Sequence, residues 1–112
     1  MSDSCFIGKT MQDDNDDAAK WLVAQGYADK NRMALFGYSY GGYTGYLAAI
    51  RPNGLYQCSV AGAGVAQIKR FQGETYDNRF LRELQRPTID GVDPLSNVDK
   101  VSIPIFVYHG DR

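Results

Sequence analysis

Gly37-Tyr38-Ser39-Tyr40-Gly41-Gly42 constrains this chain more than any other stretch. The apolar run Met33-Ala34-Leu35-Phe36 precedes it, and Tyr43-Thr44-Gly45-Tyr46-Leu47-Ala48-Ala49-Ile50 follows with the composition of a buried helix. The reading is strand, sharp turn, helix, with a serine at the apex. Gly37 and Gly41 flank the serine, where a Cβ is expected to collide as the helix folds back over the strand. A turn of this kind is a nucleophile elbow, whose strained backbone lifts the serine hydroxyl out of the sheet. Ser39 is therefore the candidate nucleophile. The backbone N–H of Tyr40 is placed to meet a developing oxyanion, and the helix N-terminus adds a dipole that favours negative charge. A bare G-x-S-x-G also describes an ordinary glycine-rich turn. The flanking strand, the extra Gly42 and the apolar helix give the pattern its specificity.

At 112 residues the chain is the size of one small domain. A net charge of -1 gives no reason to expect nucleic acid or an anionic membrane as partner. No apolar run approaches the length of a membrane span. The first residues, Met1-Ser2-Asp3-Ser4-Cys5, lack the basic start and apolar stretch of a signal peptide, and the compartment stays open. Cys5 and Cys58 make no disulfide framework and have no metal spacing. Cys58 lies in an apolar run and reads as a packed thiol. A single histidine, His109, excludes a His-cluster metal site, so no metal and no cofactor is expected.

Asp13-Asp14-Asn15-Asp16-Asp17 reads as a helix start, with an Asp capping the first N–H groups and the other acids near the positive end of the macrodipole. A calcium loop is the weaker reading, because the glycine and glutamate of that pattern are missing. The helix continues through Ala24, with Ala18, Trp21 and Leu22 expected on one buried face, and Gly26 is placed to end it. Met33 to Phe36 is expected as a strand buried on both faces of a parallel sheet. Arg51-Pro52-Asn53-Gly54 stops the elbow helix. Tyr56 to Ala63 reads as the next strand, with Gly62 and Gly64 at its end. Residues 65–76 are ambiguous, a loop with one helical turn. Asp77 to Gln85 reads as a short helix with Phe80, Leu81 and Leu84 on one side, and Pro94 to Val98 as a turn or helical turn. Ile105-Phe106-Val107-Tyr108 forms a last strand, stopped by His109-Gly110. Alternating helices and strands of this kind argue for an α/β fold with a parallel sheet and flanking helices. The order is helix, strand, elbow helix, strand, helix, strand, in one domain or part of one.

With these pieces in place, the chain resembles part of the α/β-hydrolase catalytic domain of the prolyl oligopeptidase family of serine peptidases. The matching stretches are Met11-Gln12-Asp13-Asp14, Trp21 to Tyr27, the elbow extended to Tyr43, and Ala61-Gly62-Ala63-Gly64-Val65. Pro94 to Lys100 followed by Ile103 to Gly110 matches the approach to the strand that carries the catalytic aspartate. The resemblance implies that residues 1–112 are a central fragment of such a domain, with the triad Asp and His beyond the C-terminus. By that alignment Asp111 falls two residues too early, and His109 belongs to the strand end. A triad of Ser39, His109 and Asp111 is rejected, because chain order in this fold is serine, acid, histidine.

The resemblance implies a serine-type peptidase acting on short peptides through an acyl-enzyme on Ser39, the isolated chain being inactive. It also implies that Val65, Ile68 and Phe71 line the substrate pocket, against the equal alternative that they are core. Tyr38 and Tyr43 read as packing residues, and Arg70, Arg79 and Arg82 as a solvated face rather than a site for a substrate carboxylate. A carboxylesterase of the same fold and a non-catalytic interaction fragment are the competing readings. Uncovered sheet edges offer a route to self-association.

Overall fold

The computed structural model describes residues 10–51, 54–76, 79–80 and 91–111, with backbone alone for 71 and 74–76. Strands β1 (Ala34–Tyr38), β2 (Cys58–Gly62) and β3 (Ile105–Tyr108) form a parallel sheet in the order β1-β2-β3. Gly37 lies opposite Ala61, and Ala61 opposite Val107. Parallel neighbours require crossovers. Helix α2 (Tyr40–Ile50) joins β1 to β2, while α3 (Ile68–Tyr76) and a 3-10 helix (Leu95–Lys100) lie between β2 and β3. The parallel α/β arrangement expected from the sequence is present. Helix α1 (Thr10–Ala24) precedes the sheet.

Helix α2 is the centre of the core. Tyr43, Leu47 and Ile50 pack with Ile68, and Ala48 packs with Ala19 and Tyr56. The helix can lie this close because small residues face it. A Cβ on Gly45 would touch Ala61 Cβ and Ser59 Oγ at 3.1 Å. Ser59 is buried in the middle strand, and its hydroxyl donates to the Gly45 carbonyl at 2.8 Å, so its burial leaves no polar atom unpaired. At the far end of α2 the Ser102 N–H donates to the Ala49 carbonyl at 2.9 Å, closing one of the orphan acceptors of the helix terminus.

Side chains alternate across the sheet. Leu35 packs with Ala48, and Ile105 and Val107 share an apolar groove with Tyr46 and Ile50 of α2. The opposite face carries Phe36, Tyr38, Phe106 and Tyr108, all exposed. Phe36 is 71% exposed, so the expectation of a strand buried on both faces fails on that side. Tyr38 stacks on Tyr108 with ring centroids 6.3 Å apart.

Helix α1 departs from its expected form. It begins at Thr10, ahead of the acidic tract, and the acids lie within it. Trp21 is 55% exposed, and Ala18 and Leu22 are also exposed. The buried stripe is Gln12, Asp16 and Ala19, spaced i, i+4, i+7. Polar contacts hold Asp16 on this face, whereas the buried Gln12 amide has no hydrogen-bond partner among the described residues. Arg51 bonds Asp13 at 2.5 Å and approaches Asp16 at 3.3 Å, while the Tyr56 hydroxyl donates to Asp16 at 3.2 Å. Burial, then the charge and hydrogen bond of Asp16, push the Tyr56 phenol up to about 12, with Arg51 opposing. The helix ends as expected at Gly26, in the left-handed region at φ 78°. There the Tyr27 N–H reaches Leu22 O and the Gly26 N–H reaches Val23 O.

Several boundaries shift. The ambiguous stretch 65–76 contains a full helix, α3. The turn at Pro94 to Val98 is a 3-10 helix bent at Asn97. Cys58 is half-buried. The helix expected over Asp77 to Gln85 lies largely outside the described residues, as do Leu81, Arg82, Leu84 and Cys5.

The glycine contacts correct one expectation. A Cβ on Gly37 would strike the Gly41 carbonyl, as expected, but a Cβ on Gly41 would point into open space. The intolerant position is Gly42, where a Cβ would strike the Gly62 carbonyl and come within 2.8 Å of Gly64. Gly42→Ala is therefore expected to cost about 1–3 kcal/mol of stability. Gly41→Ala is expected to be neutral or stabilising by up to about 1 kcal/mol, as in any helix. Urea unfolding midpoints of the two variants check this; a larger loss for Gly41→Ala would contradict it.

Candidate active site

Ser39 sits between the last residue of β1 and the first of α2, with φ 59° and ψ -115°. No residue with a Cβ adopts that conformation without strain, which costs about 1–3 kcal/mol. Three contacts hold it. The Ser39 N–H donates to Gly62 O at 2.9 Å, its carbonyl accepts the Tyr43 N–H at 3.2 Å, and Gly37 admits the Gly41 backbone beside it. The hydroxyl is exposed and makes no capping bond to α2, unlike an ordinary serine at this position. Tyr40 opens α2, so its amide lies at the helix's positive end. Its hydroxyl donates to Met11 Sδ at 3.4 Å, linking the turn to α1.

The wall beside the turn is built from the end of β2. Ala63 has φ 45°, a second strained residue that sequence inspection did not flag. Its N–H donates to Tyr108 O at 2.9 Å, which ties this wall to β3. Gly64 packs against the first turn of α2, where a Cβ would meet Tyr46 and the Tyr43 N–H. Tyr43 is fully buried, and its hydroxyl donates to Val92 O at 2.7 Å. Burial, then the neighbouring Tyr40 and Asp93, push its phenol above the ordinary range, which keeps it a neutral donor.

The other sequence candidates divide. Val65 is half-buried against the core. Ile68 is 3% exposed and packs with Tyr43, Leu47 and Ile50, so its side chain is a core side chain. The side chain of Phe71 lies outside the described residues. His109 follows β3, two strands from β1, with Nδ1 2.9 Å from Gly110 O. Strand spacing puts that edge roughly 10 Å from Ser39. Among the described residues no hydrogen bond joins His109 to Ser39, and none holds a group of acidic, histidine and cysteine side chains suited to a metal.

A strained serine between a parallel strand and its crossover helix, at the carboxyl end of the sheet, marks the α/β-hydrolase class. Comparison with known proteins agrees. The profile of the Prolyl oligopeptidase family matches residues 7–112, and the chain belongs to that family. Prolyl endopeptidase FAP of Homo sapiens is 33% identical over 75 residues, covering 67% of this chain and 10% of that protein. Dipeptidyl peptidase 4 of Porphyromonas gingivalis superposes with a TM-score of 0.71 at 27% identity, covering 93% of this chain and 15% of that one. A puromycin-hydrolyzing peptidase of Mycobacterium tuberculosis superposes with a TM-score of 0.72 at 24% identity, over 90% of this chain and 17% of that one. The chain thus spans about a tenth of the length of the curated relative.

If the backbone at residue 39 is strained, removing its Cβ must relieve the strain. Ser39→Gly is expected to raise stability by about 1 kcal/mol, and Ser39→Ala to leave it unchanged or lower. A denaturation series in which Ala matches Gly would remove the case for strain.

Proposed function

We propose that Ser39 is the nucleophile of a serine peptidase acting on short peptides, and that residues 1–112 are the nucleophile-bearing central part of its catalytic domain. The observation that carries this reading is the Ser39 backbone, strained at φ 59° with an exposed, uncapped hydroxyl. Membership of the family supports it, as do relatives named for prolyl endopeptidase and dipeptidyl peptidase activity. Ser39 Oγ attacks the carbonyl carbon of the substrate and passes its proton to a base. The Tyr40 N–H stabilises the oxyanion of the tetrahedral intermediate. The base returns that proton to the amine nitrogen as the tetrahedral intermediate collapses, which expels the neutral amine and leaves an ester on Ser39 that water then hydrolyses.

His109, the only histidine of the chain, stands at the end of β3, two strands away from Ser39 and roughly 10 Å off, too far to be that base. The base and its orienting carboxylate belong to further sequence, and these residues alone are inactive. Of the pocket residues whose side chains are described, Val65 has surface to offer a substrate, and Ile68 acts by holding the wall in place. Apolar groups left open on the aromatic sheet face give this chain a reason to self-associate.

The test compares the 112-residue chain with the full reading frame that contains it. The full protein is expected to cleave peptide p-nitroanilides faster than short p-nitrophenyl esters relative to an esterase, and Ser39→Ala to lower kcat by about 10^5-fold or more. A fluorophosphonate that labels Ser39 of the isolated chain at the rate of an intact hydrolase would show that the missing base is not missing. For the association, light scattering is expected to give a mass above the 12.5 kDa of one chain, rising with concentration. A monomer at all concentrations would refute it.

A further inference from the structure

Residues 92–97 fasten two other parts of the chain at once. Val92 O accepts the Tyr43 hydroxyl at 2.7 Å, and the Leu95 N–H donates to Ala66 O at 2.8 Å. Between them lies Asp93. Its Oδ1 accepts the Ile68 N–H at 2.6 Å, while Oδ2 accepts the Ser96 N–H at 3.0 Å and the Ser96 hydroxyl at 2.5 Å. Asn97 Nδ2 donates to the Asp93 carbonyl at 2.8 Å. One carboxylate thus closes the amino ends of both α3 and the 3-10 helix.

What it fastens is the wall beside Ser39. Residues 64–67 have no regular secondary structure, so their path depends on the contacts at each end. At one end the Ser39 N–H bonds Gly62 O and Gly64 presses on Gly42. At the other end stand the Ala66 carbonyl and the Ile68 amide, both held from residues 93–95.

We propose that Asp93 is a positioning residue, which sets the wall at residues 63–68 through the Ile68 and Lys69 amides and does so by its negative charge. The meaning of this for catalysis rests on the reading of Ser39 as nucleophile; the fastening itself does not. A carboxylate offers acceptor sites on both oxygens and bonds amides more strongly than a neutral group. Asparagine has one acceptor oxygen, and its amide nitrogen would face a donor at Ile68 or at Ser96. Serine has a single oxygen and can serve one helix.

Burial works against the charge, but hydrogen bonds from Ser96, Ile68 and Lys69 outweigh it and hold the carboxyl below its ordinary range. The titratable neighbour on α2 is Tyr43, neutral throughout the acid range. Lys69 and Arg70 on the first turn of α3, and Asp99 and Lys100 on the 3-10 helix, are exposed. A depressed folded value means the stabilisation is complete above the unfolded carboxylate value of about 3.9 and is lost as pH falls through the folded value.

Amide hydrogen exchange by mass spectrometry, on the full reading frame that contains these residues, tests the proposal. Asp93→Ala is expected to lower protection at Ile68, Lys69 and Ser96 on the order of tenfold, the size of a lost cap, and to leave α1 unchanged. Asp93→Ser restores Ile68 or Ser96, and never both. As pH falls below about 3.9 the wild type loses protection at these amides beyond that of α1, with no such loss between about pH 6 and about pH 4, whereas Asp93→Asn shows no such step. Unchanged protection in Asp93→Ala, a loss spread evenly over all helices, or the same acid step in Asp93→Asn would each overturn it. If Asp93→Ala does not fold, the Asn and Ser variants decide by the same criteria. Failure of Ser39 to react with a fluorophosphonate leaves these exchange rates untouched, so the two readings fail separately.

Discussion

The rest of the structure depends on how closely α2 approaches the strands on which it lies. The approach is backbone to backbone. Gly37 receives the Gly41 carbonyl, Gly42 lies against Gly62 and Gly64, and Gly45 lies against Ser59 and Ala61. Each contact removes a side chain from the interface and draws the helix nearer. Apolar burial by Tyr43, Leu47 and Ile50 then holds it there. The position of Ser39 follows, since its chain must leave β1 and enter α2 within a single residue.

Strain at such a point persists only when the surroundings over-determine it. Here they do so from two sides. The Ser39 N–H is committed to the end of β2, and its carbonyl to the first turn of α2. The end of β2 is itself strained at Ala63, whose N–H is committed to the end of β3. Three neighbouring strand ends are thus linked through main-chain hydrogen bonds. The side chain lifted by this arrangement is a serine whose hydroxyl is not used in capping its own helix.

Much of this was legible in the sequence, for reasons that can be named. The elbow reads because its glycines answer to local sterics, which a short window contains. The order of strands and helices reads because apolar runs and their Gly and Pro stops are also local. The face of α1 did not read. Ala18, Trp21 and Leu22 fit an apolar stripe, yet the buried stripe is Gln12, Asp16 and Ala19, with Asp16 held by Arg51 and Tyr56 more than thirty residues away. The different tolerance of Gly41 and Gly42 also escaped, because it turns on where Gly62 and Gly64 arrive in space. Ile68, which the sequence left open between pocket and core, packs in the core, since α3 begins there and turns its first residue toward α2. Asp93 gave no signal at all. A carboxylate that serves two helices is visible only when both are placed.

The alternation across the sheet has a further effect on how the strands find one another. Toward α2 the sheet offers Gly37, Ser59 and Ala61 with the aliphatic Leu35, Ile105 and Val107, while the large rings of Phe36, Tyr38, Phe106 and Tyr108 all stand on the other side. Sliding one strand by a single residue would exchange its two faces. For β3 that would turn Phe106 and Tyr108 into the apolar groove that Ile105 and Val107 share with α2, and carry those two aliphatic side chains to the open face. The division of small and aliphatic residues to one face and rings to the other thus ties the register of the strands to the seat of α2.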